Sequence, residues 1–172
     1  MPPVLTHTQL VRSLARRLRG MERSRRGRVP GDEPVGSSGI ESLDRLLPAG
    51  GFERGTLVEW LSGVGEGSGS ASLALTSAVA RTAEVGSGVL VVVDPAGEFY
   101  PPAAVALGVG LSQVLLIRPR GSRERDWAIE QVLRSRAVEA VVAWIDRLDD
   151  RRFRRLQLAA ERGGGVGHLL RP

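Results

Sequence analysis

The sequence contains no cysteine and no lysine, and each absence excludes a class of chemistry. Without cysteine there are no disulfides, no thiol nucleophiles and no cysteine-ligated metals, which is typical of a protein from a reducing compartment. Because all 24 basic residues are arginines, the chain has no ammonium side chain to contact a phosphate. The two histidines, His7 and His168, are far apart in sequence, so we expect no histidine metal site.

Aromatic residues and long apolar runs are also scarce. Aromatic residues make up 4% of the chain, so we expect a core of valine, leucine and alanine. No apolar run approaches the roughly 20 residues that span a bilayer, and no secretory signal is recognisable. We therefore expect a cytoplasmic protein, with association with the nucleoid as an option, and no membrane partner. The 172 residues suit one domain.

The charge of the chain favours an anionic partner, either nucleic acid or an acidic protein surface. The net charge is +5 and the pI is about 11.2. The alternative explanation for this composition is GC-rich coding DNA, which favours arginine codons over lysine codons.

The stretch Thr56–Ala80 predicts a strand, a glycine loop and a helix. Its first residues form an apolar run suited to a buried parallel strand, and the residues from Ser70 onward are good helix formers. Between them, four glycines stand at alternate positions: Gly63, Gly65, Gly67 and Gly69. Such a loop typically holds a phosphate, because its N–H groups turn inward and the helix N-terminus adds partial positive charge.

This loop departs from the phosphate-binding pattern G-x-x-x-x-G-K-[ST]. With Gly69 as the second glycine, Val64 replaces the first glycine and Ser70 replaces the lysine. Ala71 replaces the hydroxyl that holds magnesium, with Ser72 one residue later. Two interpretations stay open, namely a structural relic of a nucleotide site or weak, altered nucleotide binding. We expect no cofactor and no bound metal, with ATP and magnesium as the less favoured alternative.

Four further apolar runs predict strands at residues 88–94, 113–118, 137–145 and 166–170. Helical segments separate them, including one after Ser122 whose buried side we expect to contain Trp127. Strands that alternate with helices are typical of an α/β fold with a mostly parallel sheet, here of about five strands. A basic helix over residues 8–20 is predicted to precede this core.

Residues 39–59 resemble the approach to the phosphate loop in RecA-type recombinases. The residues that match the pattern G-[IL]-x-x-L-D-x-L-L-x-x-G-G-[FLW]-x-x-G-x-[LV]-x-E are Gly39, Leu43, Asp44, Leu46, Leu47, Gly50, Gly51, Gly55, Leu57 and Glu59. Within this superfamily the chain most resembles the ImuA group, RecA-like proteins associated with SOS-induced mutagenesis that typically lack an intact phosphate loop. The resemblance implies a three-layer α/β core. We place it at residues 39–172, after a basic arm (1–28) and a linker (29–38).

Three acidic residues are candidate remnants of an ATPase site: Asp94, Glu98 and Asp146. In the recombinases that the chain resembles, a glutamate just beyond the second strand orients the attacking water. The spacing differs here, so we expect Asp94 to cap the strand end instead. Trp144 stands where the resemblance would place the magnesium aspartate, and Asp146 follows two residues later, about 6.6 Å further along a strand.

Two groups of arginines are candidate contacts for DNA or for a protein partner. The first is a row at helical spacing in the N-terminal arm, which would alternatively pack on the core: Arg12, Arg16, Arg19 and Arg23. The second follows the third predicted strand: Arg118, Arg120, Arg123 and Arg125. Ligands bind at the carboxyl edge of parallel sheets, although the second group is also explained as solvated loop charge.

The altered phosphate loop and the shifted acidic residues, together with the resemblance, predict a non-catalytic RecA-like protein in DNA repair and damage tolerance. The partners that the resemblance implies are a RecA-type recombinase, an ImuB-type polymerase-like protein or an error-prone polymerase. The mechanism would be mimicry of a recombinase subunit. Two alternatives stay open: a weak DNA-dependent ATPase or recombinase-like DNA-binding protein, and a division inhibitor of the SulA type.

Overall fold

Five strands form one sheet in which all neighbouring strands are parallel. The computed structural model describes residues 35–63, 67–85 and 88–171; the predicted basic arm lies outside them. The strands are β1 (Leu57–Leu61), β2 (Val89–Val93), β3 (Val114–Ile117), β4 (Val138–Trp144) and β5 (Val166–Arg171). Their order across the sheet is β1-β5-β4-β2-β3. The predicted α/β class and five-stranded parallel sheet are confirmed.

Helices connect the strands and cover both faces of the sheet. They are α1 (Glu41–Asp44), α2 (Gly67–Val85), α3 (Pro101–Ala106), α4 (Ser122–Arg134) and α5 (Asp150–Gly163), with a 3₁₀ turn at Leu111–Gln113. The side chain of Asp149 accepts the N–H of Arg152 at 2.8 Å and thereby caps the start of α5. Among the described residues, no helix is long and apolar enough to cross a membrane.

The central strands β2 and β4 are buried because helices pack on both of their faces. One face of the sheet meets α4 and α5 through residues such as Ile129, Leu133 and Leu156. The other face meets α2 and α3, where small residues such as Ala78 and Ala104 allow close approach. Continuous apolar strands of this kind need cover on both sides, and this requirement produces the three layers.

A buried carboxylate fastens the start of β4 to its surroundings. Glu139 is fully buried, and its Oε2 lies 3.4 Å from Nη1 of Arg54 and 3.7 Å from Nε of Arg81. Arg81 also contacts Glu84 at 3.3 Å. Because a buried charge is costly unless it is paired, these contacts hold α2 and the segment before β1 against the sheet.

His168 on β5 is a fully buried titratable ring. Its Nδ1 accepts a hydrogen bond from Nε1–H of Trp60 at 3.1 Å, and the ring of Phe52 meets it edge-on with 5.6 Å between centroids. Its Nε2 has no hydrogen-bond partner among the described residues. Burial lowers the pKa of His168 to about 3, so the ring is neutral in the folded protein at neutral pH.

We expect His168 to make the fold sensitive to moderate acid. The unfolded chain takes up the proton at the ordinary histidine pKa of about 6.5, whereas the folded protein resists protonation until about pH 3. Between these values protons favour the unfolded state. The free energy of unfolding should therefore fall by about 2 kcal/mol from this group between pH 7.5 and pH 5.

Urea unfolding at the two pH values measures this loss, with His168→Gln as the control. Glutamine keeps an acceptor for Trp60 but does not titrate, so the variant should lose less stability on acidification than the parent by about the same 2 kcal/mol. The same pH dependence in both proteins would contradict the assignment.

Candidate functional site

The segment before β1 is held in shape by Asp44. Its Oδ2 accepts the hydroxyl hydrogen of Ser37 at 2.6 Å, and its Oδ1 accepts the backbone N–H of Ser38 at 2.8 Å. Burial alone would raise the pKa of Asp44, but the hydrogen bonds from Ser37 and Ser38 outweigh it and keep this pKa below its usual value. The aspartate of the RecA-like pattern therefore orders the chain that leads towards the cleft.

Two glycines of the same pattern allow this segment to touch helices on opposite faces of the sheet. Gly39 has φ +73°, and a Cβ there would lie 2.8 Å from Cβ of Ala80 on α2. Gly55 also has φ +73°, and its Cβ would lie 2.9 Å from Cα of Glu161 on α5. Both positions exclude a side chain on two grounds, backbone conformation and space. This part of the pattern thus has a packing explanation.

The helix after β1 begins earlier than the sequence predicted. We expected α2 to start at Ser70, but it starts at Gly67, so Gly67 and Gly69 belong to its first turn and not to a loop. Gly63 is exposed just after β1, and Gly65 lies outside the described residues. A Cβ at Gly69 would have no neighbour within 4 Å, and its φ is not positive. Neither sterics nor backbone conformation requires glycine at this position.

A cleft of about 620 Å³ lies beside the N-terminal turns of α2, at the carboxyl ends of β4 and β5. The structure brings four of the predicted site residues together in its walls: Ser70, Ser72, Glu98 and Asp146. The other lining residues are mostly apolar and come from all sides of the cleft: Ser62, Ala71, Leu75, Phe99, Tyr100, Ala103, Val142, Trp144, Ile145, Leu170 and Arg171. The predicted loop and two of the predicted acidic remnants therefore share one site.

The charges in this cleft are arranged differently from those of a phosphate site. Arg171 is the basic residue among the described lining residues, and its guanidinium is paired with Glu59 on β1. Asp146 is bound by Nη1 of Arg125 at 3.0 Å. Glu98 forms no ion pair with a described residue. The cleft therefore has one uncompensated negative charge and no free cation among these residues.

Trp144 occupies the wall of the cleft where a magnesium-binding aspartate would be required. An indole offers no oxygen ligand, whereas magnesium binds through carboxylate and phosphate oxygens and water. Asp146, the described carboxylate that follows this strand, is already bound by Arg125. Within the described ranges, no three His, Asp or Glu side chains form a cluster that could hold a metal ion. Among the described residues, this strand end therefore offers magnesium no uncommitted oxygen ligand.

Asp94 does not line the cleft but closes the turn after β2. It is fully buried, and its two oxygens accept the backbone N–H groups of Gly97, Glu98 and Phe99 at 2.8, 3.0 and 3.1 Å. This confirms the expectation that Asp94 is a strand-end cap. Through this turn it positions Glu98 and Phe99, which do line the cleft.

The structure divides the second arginine group into exposed and buried members. Arg118, Arg120 and Arg123 are exposed. Arg125 is 5% exposed and reaches both Asp126 and Asp146, so it is not the surface contact that we predicted. Trp127 was expected to be buried but is 62% exposed. The first arginine group lies outside the described residues: Arg12, Arg16, Arg19 and Arg23.

Sequence reasoning did not single out Arg171 or Tyr100 as cleft residues. The sequence signal for Arg171 was its position directly after the fifth apolar run, which places it at the carboxyl edge of a parallel sheet. Tyr100 immediately precedes the two prolines at the start of α3. Its placement depends on the turn that Asp94 organises, which the sequence did not predict in detail.

The chain is similar to several other proteins in sequence and in fold. No protein-family model matches the chain. The ImuA protein of Caulobacter vibrioides (strain NA1000 / CB15N) is 31% identical over 139 residues, covering 80% of this chain and 57% of ImuA. RecA of Chlorobaculum parvum is 36% identical over 106 residues, covering 62% of this chain and 29% of RecA. RecA of Lactococcus lactis subsp. cremoris is 36% identical over 108 residues, covering 63% and 27%.

The crystal structure of SulA from Pseudomonas aeruginosa has a similar fold. Its TM-score is 0.57 at 16% identity, and the match covers 67% of this chain and 98% of SulA. The fold, the approach to the cleft and these relatives define a RecA-like α/β domain. Within that class the chain is similar to the ImuA proteins, which confirms the predicted resemblance, and it spans a little over half the length of the ImuA proteins that it matches.

We expect Gly69→Ala to stabilise the protein. In a working phosphate loop this glycine would have to admit a ligand to the backbone, but here it is a helical residue with free space around it. Alanine favours helix by about 0.8–1 kcal/mol over glycine in a helix interior, and by less in a first turn. Thermal or urea unfolding should show a gain of up to about 1 kcal/mol. A loss of more than that amount would indicate that the backbone at Gly69 is constrained.

Proposed function

We propose that this chain is the core of an ImuA-type protein that contributes to SOS-linked mutagenesis without hydrolysing ATP. It acts in this proposal through protein partners, a RecA-type recombinase and an ImuB-type or error-prone polymerase. Kinship with ImuA and RecA proteins supports the setting in DNA damage tolerance. The chemistry of the cleft supports the absence of ATP turnover.

The observation that carries the non-catalytic part is the charge of the cleft. A triphosphate placed beside the N-terminal turns of α2 would meet Glu98, which no described cation neutralises. Arg171 would have to give up its ion pair with Glu59 before it contacted a phosphate. Since the chain contains no lysine, no other ammonium group can supply the missing charge. Like charges at such short range repel, which opposes binding.

The surface beside the cleft supports action through a protein partner. Four large apolar side chains between residues 100 and 111 are exposed: Tyr100 by 68%, Val105 by 47%, Leu107 by 43% and Leu111 by 59%. Tyr100 immediately precedes α3, Val105 lies on it, and Leu107 and Leu111 follow it. Neighbouring exposed apolar groups on a soluble protein mark an interaction surface. We assign this α3 surface, defined by these four residues, to the recombinase.

Calorimetric titration with Mg-ATP tests the non-catalytic part. We expect no saturable heat up to about 1 mM nucleotide, with or without single-stranded DNA, which corresponds to binding weaker than about −4 kcal/mol. A lysine-bearing RecA recombinase in the same buffer serves as the positive control. Saturable micromolar binding, or ATP turnover that Gly69→Val abolishes, would overturn this part of the proposal.

Binding to immobilised RecA filaments tests the partner. We expect the parent chain to be retained, and Leu111→Arg to weaken retention at least tenfold because a charge is placed at the α3 surface. Leu158→Arg is the matched control: Leu158 is 48% exposed but lies on α5, on the other face of the sheet. Equal retention of both variants would exclude the α3 surface, and no retention of the parent would exclude the recombinase.

A further inference from the structure

We infer that a second surface, at the start of α4, binds an acidic peptide segment that carries an apolar anchor. We call this surface the Trp127 recess, and it is formed by Arg120, Gly121, Ser122, Arg123, Glu124 and Trp127. It shares no residue with the cleft beside α2 or with the α3 surface. The inference goes beyond the proposed function and does not depend on whether the cleft binds nucleotide.

The recess is centred on an aromatic ring that the fold leaves uncovered. Trp127 is 62% exposed, whereas the next two residues on α4, Ala128 and Ile129, are buried in the core. No ring contact or hydrogen bond with another described residue engages the indole. The helix α4 presents this large ring to solvent. Tryptophan and arginine are the residues most enriched at the energetic centres of protein interfaces.

Two arginines line the recess beside the ring. Arg120 and Arg123 are exposed and form no ion pair with a described residue, and the same holds for Arg118 two positions upstream. Arg123 precedes Trp127 by four residues, so both lie on one face of α4. The carboxylate of Glu124 accepts the backbone N–H of Arg120 at 2.9 Å. The N-terminus of α4 has no side-chain cap, so the partial positive charge of its N–H groups also faces this surface.

The distribution of charge favours a peptide over a nucleic acid strand. Beyond Trp127, the basic residue of α4 is Arg134, which forms an ion pair with Glu130 at 2.6 Å. Glu130 also forms an ion pair with Arg155 of α5. A nucleic acid strand requires cations along a groove that follows several phosphates. A single ring with cations at one end matches an interface with an aromatic centre and a polar rim. The complementary partner has acidic residues around an apolar side chain.

Fluorescence anisotropy with a labelled glutamate–tyrosine copolymer tests this inference on the full chain. We expect saturable binding that polyglutamate competes for less well, because it lacks the anchor. Trp127→Ala should weaken binding about tenfold, whereas Trp127→Phe should stay within about threefold because it keeps an aromatic ring. Arg123→Gln should weaken binding at low salt, and the difference from the parent should shrink as salt rises.

Arg162→Gln is the matched control, since Arg162 is also exposed but lies near the end of α5. It should bind like the parent. If Trp127→Ala binds as tightly as Arg162→Gln, the recess is not the site and the inference fails. It also fails if a 20-nucleotide oligothymidylate binds more tightly than the copolymer and loses affinity in Trp127→Ala, because the surface would then take nucleic acid. Unchanged melting temperatures exclude misfolding of the variants.

Discussion

The fold depends on one constraint: its interior strands, among them β2 and β4, have to be covered on both faces. β2 consists of five fully buried apolar residues, and β4 is buried over all but its last residue. Such strands satisfy their backbone groups only through parallel neighbours, and their side chains only through helices above and below. Parallel order then brings every strand's carboxyl end to the same edge. The cleft beside α2 and the Trp127 recess beside α4 both arise at this edge, on opposite faces of the sheet.

Arginine, the only strong cation of this chain, links elements that are distant in sequence. Arg81 contacts Glu84 and Glu139, and Arg125 contacts Asp126 and Asp146. Its planar fork can reach two acceptors at once, which an ammonium group does less well. Between α4 and α5, the hydrogen bond from Arg155 lowers the pKa of Glu130. Burial raises this pKa, but Arg155 and Arg134 outweigh burial and the pKa stays below its usual value. The use of arginine in place of lysine thus removes a phosphate ligand and also supplies many of the ion pairs that join the layers.

The sequence predicted the strands well, because short apolar runs that alternate with helical segments have few alternatives in an α/β chain. Helix details were less predictable. The start of α2 was placed three residues late, since glycines were taken as loop residues although the first turn of a helix tolerates them. Trp127 was placed in the core because periodicity alone does not reveal which helix face a sheet can cover. Arg125 was placed at the surface because its burial and its contact with Asp146, 21 residues further along the chain, arise only through tertiary structure.

The early start of α2 has an evolutionary consequence if the cleft has given up nucleotide, as proposed. Renewed phosphate binding would require a lysine in place of Ser70, an unwound first turn at Gly67 and Gly69, and an oxygen ligand in place of Trp144. Each change alone leaves the other two departures from the phosphate-loop pattern in place. The loss of ATP chemistry would then be difficult to reverse. Descendants of this chain would diversify through their interaction surfaces rather than recover ATPase activity.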